Sequence, residues 1–269
     1  MAITTVDGAL AGMVPPSDFA KAVTPTLVAG RPHSLWYLAG TPGAGSAPGA
    51  SLTGAVVNAT TAGQLAFTNP GAGNSYLARF QATGITPGTL MLCDRIWANG
   101  AIVATTTTAQ TFTSSVQIGA RDATGTTSGV GVQIGIEVSA AMGAATPTPT
   151  VNYTNSAGTA AKVGTAIDIG GSSAAAGSFH RVGLATGDVG VQKAESITLG
   201  TSWLSGTCHV VLYRVLARLE LTSANIGNSV DALTSGFPRI YNDTVPFLIF
   251  IPSTTTATSL SGHAIWTQG

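Results

Sequence analysis

Few side chains in this sequence could do chemistry, and their spacing keeps most of them apart. Four histidines, His33, His180, His209 and His263, are far from one another, and none shares a strand face with a cysteine or carboxylate at ligand spacing. Cys208 and His209 are adjacent, but neighbours on a strand point to opposite faces. No nucleophile elbow, zinc-protease helix motif or aspartate-rich calcium loop occurs. Asp94, Asp168, Asp188 and Glu137 are the carboxylates a fold could bring into a catalytic pair. Among only 11 acids, structural ion pairs with Arg79, Arg95 or Arg181 are the simpler expectation. The glycine-rich stretch 41–54 lacks both a following Lys-Ser or Lys-Thr and a helix, so it does not read as a phosphate cradle. Cys93 and Cys208 read as buried thiols, with a disulfide between them left open. Trp36, Trp97, Trp203 and Trp266 read as core residues, with an exposed carbohydrate platform as the alternative. The expectation is therefore no catalytic, cofactor-binding or metal-binding residue, no cofactor, and no enzyme activity.

Strands must position these groups. In residues 75–108, Tyr76, Ala78, Phe80 and Ala82 alternate with Arg79 and Gln81. The next strand, 90–97, is apolar on both faces, with Leu90, Leu92 and Ile96 opposite Met91, Cys93 and Trp97. Asp94 and Arg95 interrupt it with opposite charges on opposite faces. Thr86-Pro87-Gly88 predicts a turn that pairs the two strands as a hairpin, and Asn99-Gly100 predicts a second hairpin into a short strand at 101–103.

Residues 1–34 read as an extended N-terminal arm, because Pro15, Pro16, Pro25 and Pro32 break any long helix. Ser17 caps one possible helical turn at 17–21, and the aromatic run at 34–38 docks the arm onto its own core or leaves it to reach a neighbour. Residues 35–269 read as a single β-sandwich domain containing the Gly/Pro/Ala-rich loop 41–54. Short apolar runs at 56–57 and 65–67 precede the central strands, and a loosely alternating, threonine-rich stretch follows at 105–118. Val130, Val132, Ile134, Ile136 and Val138 alternate strictly, and the intervening glycines suggest close approach by another backbone. A hairpin is predicted between 150–154 and 160–169, a loop at 170–177, and strands at 179–184 and 196–199. Residues 208–221 fit a helical stripe and strict alternation equally; the all-β context favours strand. Residues 225–243 read as irregular, 245–251 as a fully buried strand, and 257–266 as a last strand with Leu260, Gly262, Ala264 and Trp266 on one face. About ten short strands with turn chemistry between them place the chain in the all-β class, as a β-sandwich or jelly roll.

Composition narrows the function. Only 8% of residues are charged, against about 25% in ordinary soluble domains. The net charge is zero, with no basic stripe for nucleic acid. The longest apolar run, 247–251, is far too short to span a membrane as a helix. The first residues lack a basic start and an apolar core, so no signal peptide is expected and the N-x-T triplets at Asn58, Asn152 and Asn242 are not expected to be glycosylated. A mean hydropathy of +0.34 on an uncharged chain points to surface buried in an oligomer or lattice.

The phrases LARFQATGITPGTLMLCDRIWANGAIV, VNYTNSAGT and LYRVLARLEL lie in a neutral Gly/Ala/Thr-rich β-chain. Together they resemble structural proteins encoded among the head genes of tailed bacteriophages, over most of residues 35–221. The resemblance implies a capsid-associated decoration or cement protein without catalytic residues. Its partners would be itself, as a homo-oligomer such as a trimer, and the capsid protein, on the virion surface after assembly in the host cytoplasm. Neither nucleic acid nor membrane is implied. The long charged helix expected of the usual tailed-phage shell subunit is missing, which ranks a capsid-shell role lower. A head- or tail-fibre adhesin holding host carbohydrate on exposed Trp or Tyr is the alternative from another class, and a hydrolase built from scattered acids ranks last.

Overall fold

Alternating patterns fill most of the chain. In the computed structural model, which describes residues 3–21, 27–49, 51–100, 102–167 and 174–269, they become strands. In chain order the elements are α1 (Val6–Ala11), β1 (Ser17–Lys21), β2 (His33–Ser34), β3 (Ala55–Val56), β4 (Ser75–Gly84), β5 (Gly88–Ala98), β6 (Gln110–Thr111), β7 (Val132–Ala140) and β8 (Thr150–Asn155). There follow β9 (Lys162–Ala166), β10 (Phe179–Gly183), β11 (Val191–Thr198), β12 (Thr207–Leu221), β13 (Asn228–Asp231), α2 (Ala232–Ser235), β14 (Arg239–Ile240), β15 (Pro246–Pro252) and β16 (Leu260–Gln268). The fold is all-β, a curled sandwich of two antiparallel sheets. The smaller has the order β1-β16-β4-β13, with β14 also on β4. The larger runs β2-β15-β5-β12-β7-β10-β9-β8-β11-β6, with β3 also on β5.

The long pair β5–β12 belongs to every part of the core. Toward one end Leu90 and Leu92 of β5 join Leu219 and Leu221 of β12 against Phe19, Phe80, Leu260 and Trp266 of the small sheet. Toward the other end Ile96 and Trp97 join Cys208, Val210 and Leu212 against Ile134, Val151 and Ile197, so the large sheet curls to cover itself. On the opposite face Met91, Cys93, Val211 and Tyr213 pack with Trp36, Phe247 and Ile249. Two β-bulges interrupt the pairing, between Leu212 and Tyr213 and between Val215 and Ala217. The extra residue at the second lets β12 keep one side inward, with Leu212 before it and Ala217, Leu219 and Leu221 after it.

Several expectations change. The strands at 75–84 and 88–98 form, but they are not a hairpin: β4 lies in the small sheet and β5 in the large one. The turn between them is a crossing from sheet to sheet. A strand apolar on both faces needs cover on both, and β5 finds it as a central strand: β12 and β15 pair with its two edges, while Leu90 and Leu92 pack toward the small sheet and Met91 and Cys93 pack with Trp36 and Phe247 on the opposite face. The crossing satisfies its backbone through Thr258, whose Oγ1 accepts from Ile85 N at 3.1 Å and Thr86 N at 3.0 Å. Asn99-Gly100 does not close a hairpin either. Asn99 N donates to Val210 O at 3.1 Å and Ile102 N to Cys208 O at 2.9 Å, so the chain continues alongside β12. Ala101 lies outside the described residues.

Residues 17–21 are a strand, not a helical turn. Ser17, Phe19 and Lys21 alternate inward, and β1 pairs with β16. The helix of this region lies earlier, at α1, where Thr5 Oγ1 accepts from Gly8 N. Lys21 Nζ ties β1 to the loop beyond β2 by donating to Leu38 O (2.9 Å) and Pro42 O (2.6 Å), and burial lowers its pKa to about 8. Pro25 lies outside the described residues. Gly135 makes room for the Phe179 ring rather than for a backbone. The stretch at 105–118 yields only β6, and 225–243 holds β13, α2 and β14. Strand β11 begins at Val191, before its expected start. Residues 208–221 are strand throughout, β8 and β9 pair as the expected hairpin, and 246–252 is buried at nearly every position. Residues 168–173, within the predicted strand end and loop, lie outside the described residues.

Thr258 carries a direct test. A Thr258→Val change keeps the shape but leaves Thr86 N–H without its acceptor and Ile85 N–H with only Ser259 O at 3.4 Å, which should cost about 1–3 kcal/mol. Urea denaturation should show a lower midpoint; an unchanged midpoint would show that the crossing does not depend on this hydroxyl.

Candidate functional site

Of the 22 charged residues only Asp168 lies outside the described ones, and eight of the other 21 are buried. Six cluster around β5: Asp94, Arg95, Arg121, Asp122, Glu137 and Arg214. Alternation along β5 separates them into two groups, one on each face of the sheet.

Asp94 faces the side where the two inner clusters meet. It stands opposite Arg214 in the β5–β12 register, accepts from Val245 N at 2.9 Å, and lies 3.6 Å from Arg121 Nη1. Arg121 Nη2 donates to the carbonyls of Arg95 (3.2 Å) and Ile96 (3.0 Å), where Ile96 is the extra residue of the first bulge. Arg214 Nη2 donates to Arg239 O at 3.1 Å, with its guanidinium 5.4 Å from the Tyr241 ring; burial lowers its pKa, partly opposed by Asp94. Asp122 organises the adjoining loop, accepting from Thr124, Thr126, Ser128, Gly129 and Val130. Burial alone would raise its pKa, but these hydrogen bonds outweigh it and hold the carboxyl far below the carboxylate range.

Arg95 faces the other way. Its Nη2 lies 2.7 Å from Glu137 Oε2, which also accepts from Tyr37 OH at 2.9 Å. The guanidinium sits 4.8 Å from the Trp36 ring and 5.7 Å from that of Phe247. Burial works against both charges, yet each partner outweighs it: Glu137 holds Arg95 above its usual value, and Arg95 holds Glu137 below the carboxylate range. Above this pair opens a groove of about 390 Å³, floored by Trp36, Arg95 and Ala98 and walled by residues of 46–49 and 51–61 and by Gly100. Among the described residues Arg95 is the one charged residue that lines it.

The carboxylates singled out by sequence do not converge. Asp94 and Glu137 lie on opposite faces of the sheet. Asp188 is elsewhere, accepting from Tyr153 OH (2.6 Å) and Asn155 Nδ2 (2.7 Å) with Lys162 at 3.9 Å; Asp168 lies outside the described residues. Of the expected ion pairs, Arg95 makes one with Glu137, while Arg79 hydrogen-bonds Ser229 and stands opposite Asp231. Cys208 and His209 point apart, the thiol into the core and the imidazole 2.7 Å from Ser139 Oγ. Both cysteines are free, and burial pushes both thiols up, Cys208 to about 12. His33 and His180, distant in sequence, come close enough that His180 helps to lower the pKa of His33. No group of three or more His, Cys, Asp or Glu among the described residues is arranged to hold a metal ion. All four tryptophans are buried, none more than 2% exposed, so the surface platform for carbohydrate is not formed. The roles of Tyr37, Arg121, Asp122 and Arg214 went unread in the sequence. Only Asp122 carried a local signal: Thr124, Thr126 and Ser128 follow it at every second position.

No family model matches this chain, and no curated protein matches it. Among solved structures it aligns with the structure of the infectious bursal disease virus Gt strain at 7% identity, covering 95% of this chain and 82% of that one, with a TM-score of 0.14. It aligns likewise with infectious bursal virus-derived T=1 particles at 8% identity, covering 96% and 79%, also with a TM-score of 0.14. Superpositions at that score carry no argument about fold or function.

Two measurements test this chemistry. Glu137→Gln leaves Arg95 buried without a counter-charge and should cost about 3–5 kcal/mol in thermal or urea unfolding, with much of the loss recovered in Arg95→Met/Glu137→Leu. No loss in the single variant would show the pair to be dispensable. His33 is fully buried, accepts from Val28 N at 3.1 Å, and has its pKa lowered to about 4 by burial, then by Arg31 and His180. Because the folded state binds this proton less readily than the unfolded chain, stability should fall as pH drops from about 6.5 to about 4, by on the order of 3 kcal/mol. His209, also lowered by burial, adds to the slope, so the comparison with His33→Gln isolates His33. Identical pH profiles for the two proteins would refute the assignment.

Proposed function

We propose that this chain is a non-enzymatic virion structural protein, a self-associating subunit that decorates or cements a phage capsid. The observation that carries the reading is a surface short of charge. The fold draws eight of 21 described charged side chains inside, while 13 large apolar side chains among the described residues stand exposed. Val6, Leu10 and Met13 are among them near the first helix, and Val163 of β9 and Ile167, just past its end, stand on either side of exposed Thr165. A surface so short of charge suits a subunit in permanent contact with neighbours. Contacts of this kind are uncharged and should tolerate salt. The phrases in residues 77–103, 151–159 and 212–221 that resemble tailed-phage head proteins support the same reading.

Removing the first thirty residues would be a poor test of capsid binding, because β1 supplies Phe19 and Lys21 to the interior of the small sheet. Surface changes serve better. Sedimentation of the intact protein at micromolar concentration should show an oligomer that changes little between about 0.05 and 0.5 M salt. Val163→Lys/Ile167→Lys should weaken self-association or capsid binding at least tenfold at an unchanged unfolding midpoint. A monomer at every concentration that also ignores particles in electron micrographs would overturn the proposal.

A further inference from the structure

We propose that the groove over Arg95 is a binding site for a saccharide ring. This stands apart from the structural role and from any surface display of tryptophan. The groove's volume, about 390 Å³, falls within the range of small-molecule sites. Its lining includes Arg95, 1% exposed, whose Nη2 lies 2.7 Å from Glu137 Oε2 while neither Nη1 nor Nη2 has an aligned hydrogen-bond partner, a state shared by Nε and Nη1 of Arg121 and Arg214. A buried N–H of that kind calls for an acceptor oxygen.

The charge balance says which acceptor. Glu137 already neutralises Arg95, and no other charged residue among the described ones lines the groove, so an anion would enter as an uncompensated charge. A neutral ligand rich in hydroxyl oxygens fits instead. Ser46, Ser51, Thr53 and Thr61 line it together with the apolar Trp36; the hydroxyls of Ser51, Thr53 and Thr61 each make one hydrogen bond within the protein and keep capacity for a second. The loop can close over this floor because Gly100 has no side chain; a Cβ there would run into the backbone of Gly49 and Ser51.

Saturation-transfer NMR on the full chain tests the site, using methyl glycosides of glucose, galactose, N-acetylglucosamine and rhamnose at about 1 mM. Acetate and inorganic phosphate serve as anionic probes. At least one glycoside should show transfer, and neither anion should. Ala55→Trp, on the exposed rim, should fill the groove and weaken glycoside binding at least tenfold at an unchanged unfolding midpoint. Ala47→Trp, exposed on the facing loop, gives the same reading should the first variant fold poorly. Arg95→Lys should also lose binding. Absence of transfer from every glycoside, transfer that survives the rim variants, or anions binding as well as the sugars would each overturn the proposal.

Discussion

The pairing of β5 with β12 is the constraint on which the rest depends. A strand apolar on both faces gains burial either way up, so hydrophobic patterning cannot choose its register. Slipping such a strand by one residue exchanges its two faces at little cost in buried area. Asp94 and Arg95 remove that freedom. In the observed register Asp94 meets Arg214 and Arg121, while Arg95 reaches Glu137 across β12. A slip would carry each charge to the side that holds its like. Buried ion pairs add little net stability, because desolvation offsets most of their attraction, but an unpaired buried charge is strongly penalised. We therefore read these four residues and Arg121 as register marks.

The bulges belong to the same solution. At Ile96 the ladder would leave carbonyls facing the core, and Arg121 fills them from a loop whose shape Asp122 maintains. The strained part of the sheet, the charge pairing and the 121–130 loop thus form one unit. It sits where the small sheet ends and the large sheet curls away, which explains why two apolar clusters with different partners can share one pair of strands.

Local alternation made the strands legible and left their partners hidden. Strand β7 was readable because Val132, Ile134, Ile136 and Val138 repeat with period two, and β12 because an all-β context outweighed its helical stripe. The β4–β5 connection was misread because Thr86-Pro87-Gly88 looks the same whether its strands pair or part; the deciding acceptor, Thr258, lies more than 170 residues away. Strand β1 was too short for its alternation to outweigh the capping signal of Ser17. The site followed the same rule. Arg95 and Glu137 could be named as pairing residues, but Tyr37, Arg214 and the groove's loop join them only through the topology.

A chain poor in acids faces a difficulty when it buries arginine, since a guanidinium carries five N–H donors and needs oxygens around it. Asp122, an acceptor, is closed completely by its own loop, because backbone N–H and hydroxyl donors are plentiful in a sequence rich in glycine, serine and threonine. Buried arginines have no such local supply. Arg121 and Arg214 borrow main-chain carbonyls. Arg95 has one carboxylate oxygen at 2.7 Å and two aromatic rings, and it borders a groove. The asymmetry between a saturated aspartate and an unsaturated arginine follows from composition alone. It also sets the two apart: the first holds a loop in place, whereas the buried arginines keep N–H groups that the protein itself does not pair.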